Sequence, residues 1–307
     1  MEEVSSSLPV IDLREFEDLD NSVKAYQKLR ETCEEWGCFR IINHPIPLEL
    51  MSEMKAIVRS LLDLPAKIKN QNTNDTVGRG YVAPSPANPL YESLGLYDFG
   101  STEAVRSFCD QLNASPHQRE IIEKYAGAIH ELIKNIQQKL AKSMGLEAYS
   151  FKGHWPCQFK IIKYSFNPQQ VGSLGVPTHT DNGFLTILQD DENVGGLEVM
   201  NKNGEFVPID PSPGTFLVNL GDIAKAWSNG RLCNVMHRVL CKEATIRISI
   251  ASFLLGPKDE VVEAPQEFVD SEHPRLYAPF NHDDYWKERL SKNLRAGEVL
   301  ELLRVNI

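Results

Sequence analysis

The second half of this 307-residue chain contains seven short segments rich in β-branched and aromatic residues. Glycine, asparagine and proline residues separate them, as in the pair Asn203-Gly204. Many short strands at this spacing are typical of a β-sandwich or a β-barrel. We therefore predict a mainly β core. Its segments are residues 158–166, 183–189, 196–200, 206–209, 215–220, 235–241 and 246–255.

The first half of the chain has a different pattern, in which apolar residues recur every three or four positions. This spacing predicts amphipathic helices over residues 22–36, 47–63 and 116–144. The third helix has the clearest ends. Ser115 suits its N-cap and Pro116 its first turn, and Gly145 supplies a stop.

These two patterns divide the chain into two regions. Residues 1–155 are predicted to be mostly helical, with one or two strands that join the core sheet, and 38–43 is the first candidate. The Gly- and Pro-rich stretch 78–98 is predicted to be an ordered loop. Residues 156–307 are predicted to form the β core, with a helix near the end over 283–305.

Three polar residues in the β-type half are spaced so that they can meet. His179 and Asp181 are two apart, and alternate side chains of a strand share a face. His237 follows 56 residues later, in another predicted strand that can return beside the first. Two imidazoles and one carboxylate can cover one face of a ferrous ion and leave the other face open. We therefore predict an iron site at His179, Asp181 and His237.

A second polar pair, Arg247 and Ser249, follows ten residues after His237 within an apolar segment. A buried guanidinium without a partner costs several kcal/mol, so an anion must lie near it. One interpretation is a structural carboxylate of the protein. The other is a dicarboxylate ligand, 2-oxoglutarate, held by Arg247 and Ser249. Tyr164 could reach the same anion, with core packing as its alternative role.

Six aromatic residues are candidates to line a substrate pocket, although each could equally belong to the core. Trp227 precedes His237 in a predicted rim loop, and Phe253 continues the Arg247 face of its strand. The other four lie in the 78–98 stretch or near predicted inner faces: Tyr81, Tyr91, Phe159 and Phe184.

Composition excludes some classes of partner. The net charge is −10 and there is no run of Lys or Arg, so we expect neither a nucleic-acid nor a membrane partner. The six cysteines form no Cys-x-x-Cys pair, so a zinc-thiolate site is not expected. We find no signal-peptide pattern and no apolar span, which predicts a cytoplasmic protein. These features leave the oligomeric state open.

The motifs together resemble those of the plant 2-oxoglutarate- and iron(II)-dependent dioxygenases. Within that family the chain is most similar to the dioxygenases for auxin oxidation. The first resemblance rests on residues 9–13, 36–44, 179–181, 228–239 and 247–249. The second rests on residues 88–98, 114–126, 183–199 and 250–259.

The resemblance implies a double-stranded β-helix, the cupin-like jelly roll, with helices packed around it. It implies Fe(II), 2-oxoglutarate and dioxygen as cofactor and cosubstrates, and a small indole acid as substrate. The implied reaction converts indole-3-acetic acid to 2-oxindole-3-acetic acid. Two positions depart from the family, in which Asn is common where Ile162 stands and Gly where Pro45 stands.

Three other functions remain open from the sequence. The same scaffold could hydroxylate or demethylate a specialised metabolite such as an alkaloid or a flavonoid. It could also bind a small acid without turnover. A hydrolytic zinc site could use the same two histidines and aspartate, but it would leave the Arg247–Ser249 pair without a role.

Overall fold

The computed structural model describes residues 8–18, 20–76, 79–86 and 88–305. Its strands are β1 (Val10–Asp12), β2 (Cys38–Ile42), β3 (Tyr91–Tyr97), β4 (Cys157–Ser165), β5 (Leu174–His179), β6 (Leu185–Gln189), β7 (Leu197–Met200), β8 (Phe206–Pro208), β9 (Phe216–Leu220), β10 (His237–Leu240) and β11 (Ile246–Leu254). Its helices are α1 (Ser22–Glu35), α2 (Leu48–Leu62), α3 (Ala66–Lys69), α4 (Thr102–Gln111), α5 (Pro116–Ser143), α6 (Asp222–Trp227), α7 (His282–Ser291) and α8 (Glu298–Leu302).

The strands form two sheets, which together make the predicted jelly-roll core. The large sheet has the order β1-β2-β9-β6-β11-β4-β3, and the small sheet has the order β5-β10-β7-β8. Only β1 and β2 pair in parallel among the strand pairs of the described residues. The chain passes from the small sheet to the large one between β5 and β6, in the segment that contains Asp181.

The helices cover one face of the large sheet. The long helix α5 begins with a capping box, in which the side chains of Ser115 and Gln118 each bond the other residue's backbone N–H. Helices α1, α2 and α4 pack against α5. The Tyr125 hydroxyl donates to Gln189 Oε1 of β6 at 2.7 Å, which ties α5 to the sheet. The other face of the large sheet is therefore free to line a cavity.

The three helices predicted from periodicity are confirmed as α1, α2 and α5, with ends within a residue of the prediction. The prediction of a loop over 78–98 is wrong at its end, because β3 pairs with β4 along its whole length. Glu92 hid this strand, since a carboxylate is unusual inside a sheet. Here Lys69 and the Tyr81 hydroxyl both donate to it.

Two counts also differ from the prediction. Three strands from the first 155 residues join the large sheet, β1, β2 and β3, where one or two were expected. The stretch 283–305 holds two short helices rather than one, because Asn293 and Gly297 adopt positive φ angles of 52° and 82° between them. No helix within the described ranges has the length and apolarity to cross a bilayer.

Candidate active site

The two sheets bring His179, Asp181 and His237 together. The last residue of β5 pairs directly with the first residue of β10, so the rings of His179 and His237 lie 4.1 Å apart between centroids. Asp181 Oδ1 lies 3.9 Å from His179 Nε2 and 3.8 Å from His237 Nε2. One potential ligand atom from each residue lies within 4.8 Å of the other two. This spacing suits a single metal ion held by three side chains.

Neighbouring groups orient all three side chains. Pro177 O lies 2.9 Å from His179 Nδ1, and Val235 O lies 3.3 Å from His237 Nδ1, so each Nδ1–H can donate and leave Nε2 free for a metal. The Thr186 hydroxyl donates to Asp181 Oδ2 at 2.6 Å and leaves Oδ1 free. Burial and the neighbouring His237 lower the pKa of His179 to about 3, so this imidazole is neutral at pH 7. The donor set therefore fits a ferrous ion.

A buried ion pair supports the backbone of this corner from behind. Arg289 of α7 donates to Asp222 Oδ2 at 2.7 Å, and also to the carbonyl oxygen of Thr180. The Tyr285 hydroxyl donates to the same Asp222 oxygen at 2.7 Å. Asp222 N–H in turn donates to Asp181 O at 2.8 Å. The pKa of the Asp222 carboxyl is raised by its burial, although Arg289 opposes that effect.

A cavity of about 530 Å³ opens beside the three candidate ligands. Arg247 and Ser249 line it from one face of β11, and Tyr164 lines it from β4, directly opposite Arg247. Arg247 is only 1% exposed, and its Nη2 donates to the Asp190 carboxylate. Its Nε is buried with no hydrogen-bond partner among the described residues. The guanidinium thus has a structural carboxylate and still has a free donor.

The structure divides the aromatic candidates. Tyr91 and Phe253 line the cavity, whereas Tyr81, Phe159, Phe184 and Trp227 are absent from its walls. The expectation that Trp227 lies in a pocket rim is corrected, because it is 2% exposed and belongs to α6. Its Nε1 donates to the Tyr149 hydroxyl at 3.2 Å, and its ring lies 5.4 Å from that of Phe184. Both residues belong to a buried aromatic cluster.

Phe159 and Tyr81 are corrected for other reasons. Phe159 has the opposite strand parity to Tyr164, so it faces the helices and stacks on Phe99 at 3.8 Å. Tyr81 directs its hydroxyl to Glu92 at 2.7 Å, outside the cavity. Of the two family departures, Ile162 lines the cavity and Pro45 lies in a separate surface groove.

Several polar residues of the cavity wall were missed by the sequence analysis. Lys160 lies on β4 with the same parity as Tyr164, so strand alternation alone could have identified it. Arg289, Trp286 and Asn293 come from α7 and the turn after it. No local pattern in the sequence indicates that this distant segment closes the cavity.

Comparisons with known proteins agree with this geometry. Residues 155–256 match the family model of the 2OG-Fe(II) oxygenase superfamily. Residues 8–118 match the model for the N-terminal region of the non-haem dioxygenase in morphine synthesis. The 2-oxoglutarate-dependent dioxygenase DAO of Oryza sativa subsp. indica is 51% identical over 297 residues, which are 96% of this chain and 98% of the rice protein. The chain belongs to the 2OG-Fe(II) oxygenase superfamily.

Solved structures of this superfamily share the fold. The crystal structure of the rice dioxygenase for auxin oxidation has a TM-score of 0.90 and 50% identity, and the match covers 97% of this chain and all of that one. The Arabidopsis thaliana dioxygenase for auxin oxidation 1, in a binary complex with 2-oxoglutarate, has a TM-score of 0.84 and 58% identity over 88% of this chain and all of that one. The protein is thus a 2-oxoglutarate-dependent dioxygenase, an oxidoreductase that uses Fe(II), 2-oxoglutarate and dioxygen.

Proposed function

We propose that this dioxygenase oxidises indole-3-acetic acid to 2-oxindole-3-acetic acid, with 2-oxoglutarate and dioxygen converted to succinate and carbon dioxide. The observation that carries the substrate assignment is the 51% identity to the rice enzyme over nearly the whole of both chains. The cavity supports it, since aromatic and aliphatic side chains such as Phe253, Tyr91 and Val176 line much of its wall.

His179, Asp181 and His237 are proposed to bind the iron through Nε2, Oδ1 and Nε2. When bound, Fe(II) supplies the activation of dioxygen that is coupled to decarboxylation of the keto acid. The protein's part is to hold the ligands in one orientation, through Thr186 and the two backbone carbonyls described above. Side chains that are already oriented do not have to reorganise when the metal binds.

Arg247, Ser249 and Tyr164 are proposed to bind the distal carboxylate of 2-oxoglutarate. The support is the buried Arg247 Nε without a partner, next to a hydroxyl on the same strand face and a phenol on the adjacent strand. A carboxylate oxygen would satisfy this donor and accept a charge-assisted hydrogen bond. Asp190 on Nη2 would then fix the plane of the guanidinium.

A cytoplasmic location is part of the same proposal. All six cysteines are free thiols. Free thiols are expected where the cell keeps proteins reduced.

The substrate assignment is tested with protein purified without oxygen and loaded with Fe(II). Succinate release and substrate oxidation are measured with indole-3-acetic acid and with a panel of other plant acids, flavonoids and alkaloids. We expect indole-3-acetic acid to give one 2-oxindole-3-acetic acid per succinate. Coupled turnover of another panel member, with none of indole-3-acetic acid, would refute the assignment.

A further inference from the structure

One face of β4 and β11 forms a wall that runs from the cosubstrate end of the cavity to its opposite end. Tyr164 lies opposite Arg247 at one end of this wall, and Gln158 lies opposite Phe253 at the other. Residues on one face of a strand repeat about every 6.7 Å, so Tyr164 and Gln158 are about 20 Å apart along β4. The two ends can therefore hold different groups at the same time.

A small pocket of about 40 Å³ adjoins the cavity at the Gln158 end. Lys160, Asn182, Phe253 and Trp286 line both spaces, so the pocket adjoins the main cavity directly. Asn182 directly follows Asp181, which places the pocket next to the candidate iron ligands. We call the group of Gln158, Lys160 and Trp286 the polar subsite.

The polar subsite contains hydrogen-bond donors that have no acceptor. Gln158 is 7% exposed, and its Nε2 is buried without a partner. Trp286 Nε1 is also buried without a partner. No acceptor within the described part of the chain lies within hydrogen-bonding distance of Lys160 Nζ. Leaving a buried donor unsatisfied costs about 1–3 kcal/mol, so these groups are expected to be matched by a ligand.

The charges around the subsite favour an anion. No carboxylate lines the small pocket, and Asp181 is the one carboxylate that lines the main cavity among the residues described. Arg79, at the back of the pocket, is already neutralised. Its Nη2 donates to Asp283 Oδ1 at 3.0 Å, and its guanidinium lies 4.0 Å from the Tyr97 ring centroid. Lys160 is thus the free cation at this end.

We propose that the polar subsite binds the carboxylate of the organic acid that the enzyme oxidises. Lys160 supplies the opposite charge, and Gln158 and Trp286 donate hydrogen bonds. This inference rests on the proposed function in one respect, that the substrate is an aromatic acid. It adds a division of the cavity, in which Arg247 binds the carboxylate of the cosubstrate and Lys160 that of the substrate. The ring then lies between the subsite and the metal, against Phe253.

The test compares an acid with its neutral amide in two variants and a matched control. Lys160→Met removes the charge, and Trp286→Phe removes one N–H but keeps an aromatic ring. Lys163→Met is the control, because Lys163 lies on the opposite face of the same strand and pairs with Asp63 at 2.7 Å. KM and kcat are measured for indole-3-acetic acid and indole-3-acetamide, and KM for 2-oxoglutarate.

We expect Lys160→Met to raise KM for the acid about ten- to a hundredfold, as for a lost charged hydrogen bond. Its KM values for the amide and for 2-oxoglutarate should stay unchanged, which a general loss of structure would not allow. Trp286→Phe should raise KM for the acid about fivefold, as for one neutral hydrogen bond. Lys163→Met should change none of these values.

Two results would overturn the polar subsite. One is an equal increase in KM for acid and amide in Lys160→Met, and the other is an unchanged KM for the acid. Failure of the proposed function is a different outcome. If another aromatic acid, but not indole-3-acetic acid, releases succinate and this release depends on Lys160, the subsite stands and the substrate assignment falls.

Discussion

The metal corner and the polar subsite adjoin the same cavity, yet their polar groups are treated in opposite ways. At the metal corner, His179, His237 and Asp181 each have a protein partner on the atom that faces away from the metal. In the polar subsite, Gln158 and Trp286 have buried donors without partners. The first arrangement suits a metal that stays bound. The second suits a group that enters and leaves in each turnover.

The largest effect is expected at the metal corner itself. Asp181→Ala removes a ligand oxygen and the one negative charge that balances the metal. We expect loss of detectable succinate release and a large fall in Co(II) affinity, measured by the visible spectrum of Co(II)-loaded protein. The melting temperature of the metal-free protein is the control. Retention of Co(II) binding at the wild-type level would remove Asp181 from the ligand set.

Arg247→Lys tests the cosubstrate end of the cavity. A lysine keeps the charge but cannot donate from Nε and Nη2 in one plane. We expect KM for 2-oxoglutarate to rise about ten- to a hundredfold, which corresponds to the roughly 1.5–3 kcal/mol of one hydrogen bond to a charged group. KM for the indole acid should stay the same. An unchanged KM for 2-oxoglutarate would show that Arg247 serves Asp190 alone.

A pair of aromatic variants tests the corrected cavity wall. Trp227→Phe should lower the free energy of unfolding by about 1–3 kcal/mol, since it leaves a cavity and breaks the bond to Tyr149. It should not change KM for the indole acid. Phe253→Leu should raise that KM severalfold with a smaller loss of stability. Urea unfolding and steady-state kinetics would separate the two, and a higher KM in Trp227→Phe would return Trp227 to the substrate wall.

A second buried lysine offers the smallest and most specific comparison with Lys160. Lys55 is 4% exposed, and its Nζ donates to the carbonyl oxygens of Asp190 and Ile248, each at 2.6 Å. Burial lowers the pKa of Lys55 from 10.5 to about 8. Between these values the unfolded chain binds a proton that the folded chain has released. The contribution of Lys55 to stability therefore rises with pH in this window.

Lys55→Met removes this titration. The free energy of unfolding of the wild type, minus that of the variant, should increase from pH 8 to pH 10.5 by at most about 3 kcal/mol, at 1.36 kcal/mol per unit of pKa. Urea unfolding at several pH values measures this difference. Parallel pH profiles of the two proteins would show that the Lys55 pKa is ordinary.

How much the sequence could predict depends on how local the signal is. Helix α5 has its periodicity, its cap and its stop within a single stretch, so the sequence defined both ends. The spacing of His179 and Asp181 is also local, and the structure places both at one corner. The burial of Trp227 was missed, because its partners Tyr149 and Phe268 are distant in sequence. The polar subsite needed both strand β4 and helix α7, and no sequence pattern connects them.

The contact of Arg289 with the backbone at Thr180 also constrains when the site can be completed. Arg289 comes 108 residues after Asp181, and it also donates to Arg295 O at 2.6 Å. On the ribosome, the strands that carry the histidines are therefore made well before the segment that braces them. We expect that a nascent chain stalled before α7 would hold Fe(II) loosely, so that stable metal loading follows the end of translation.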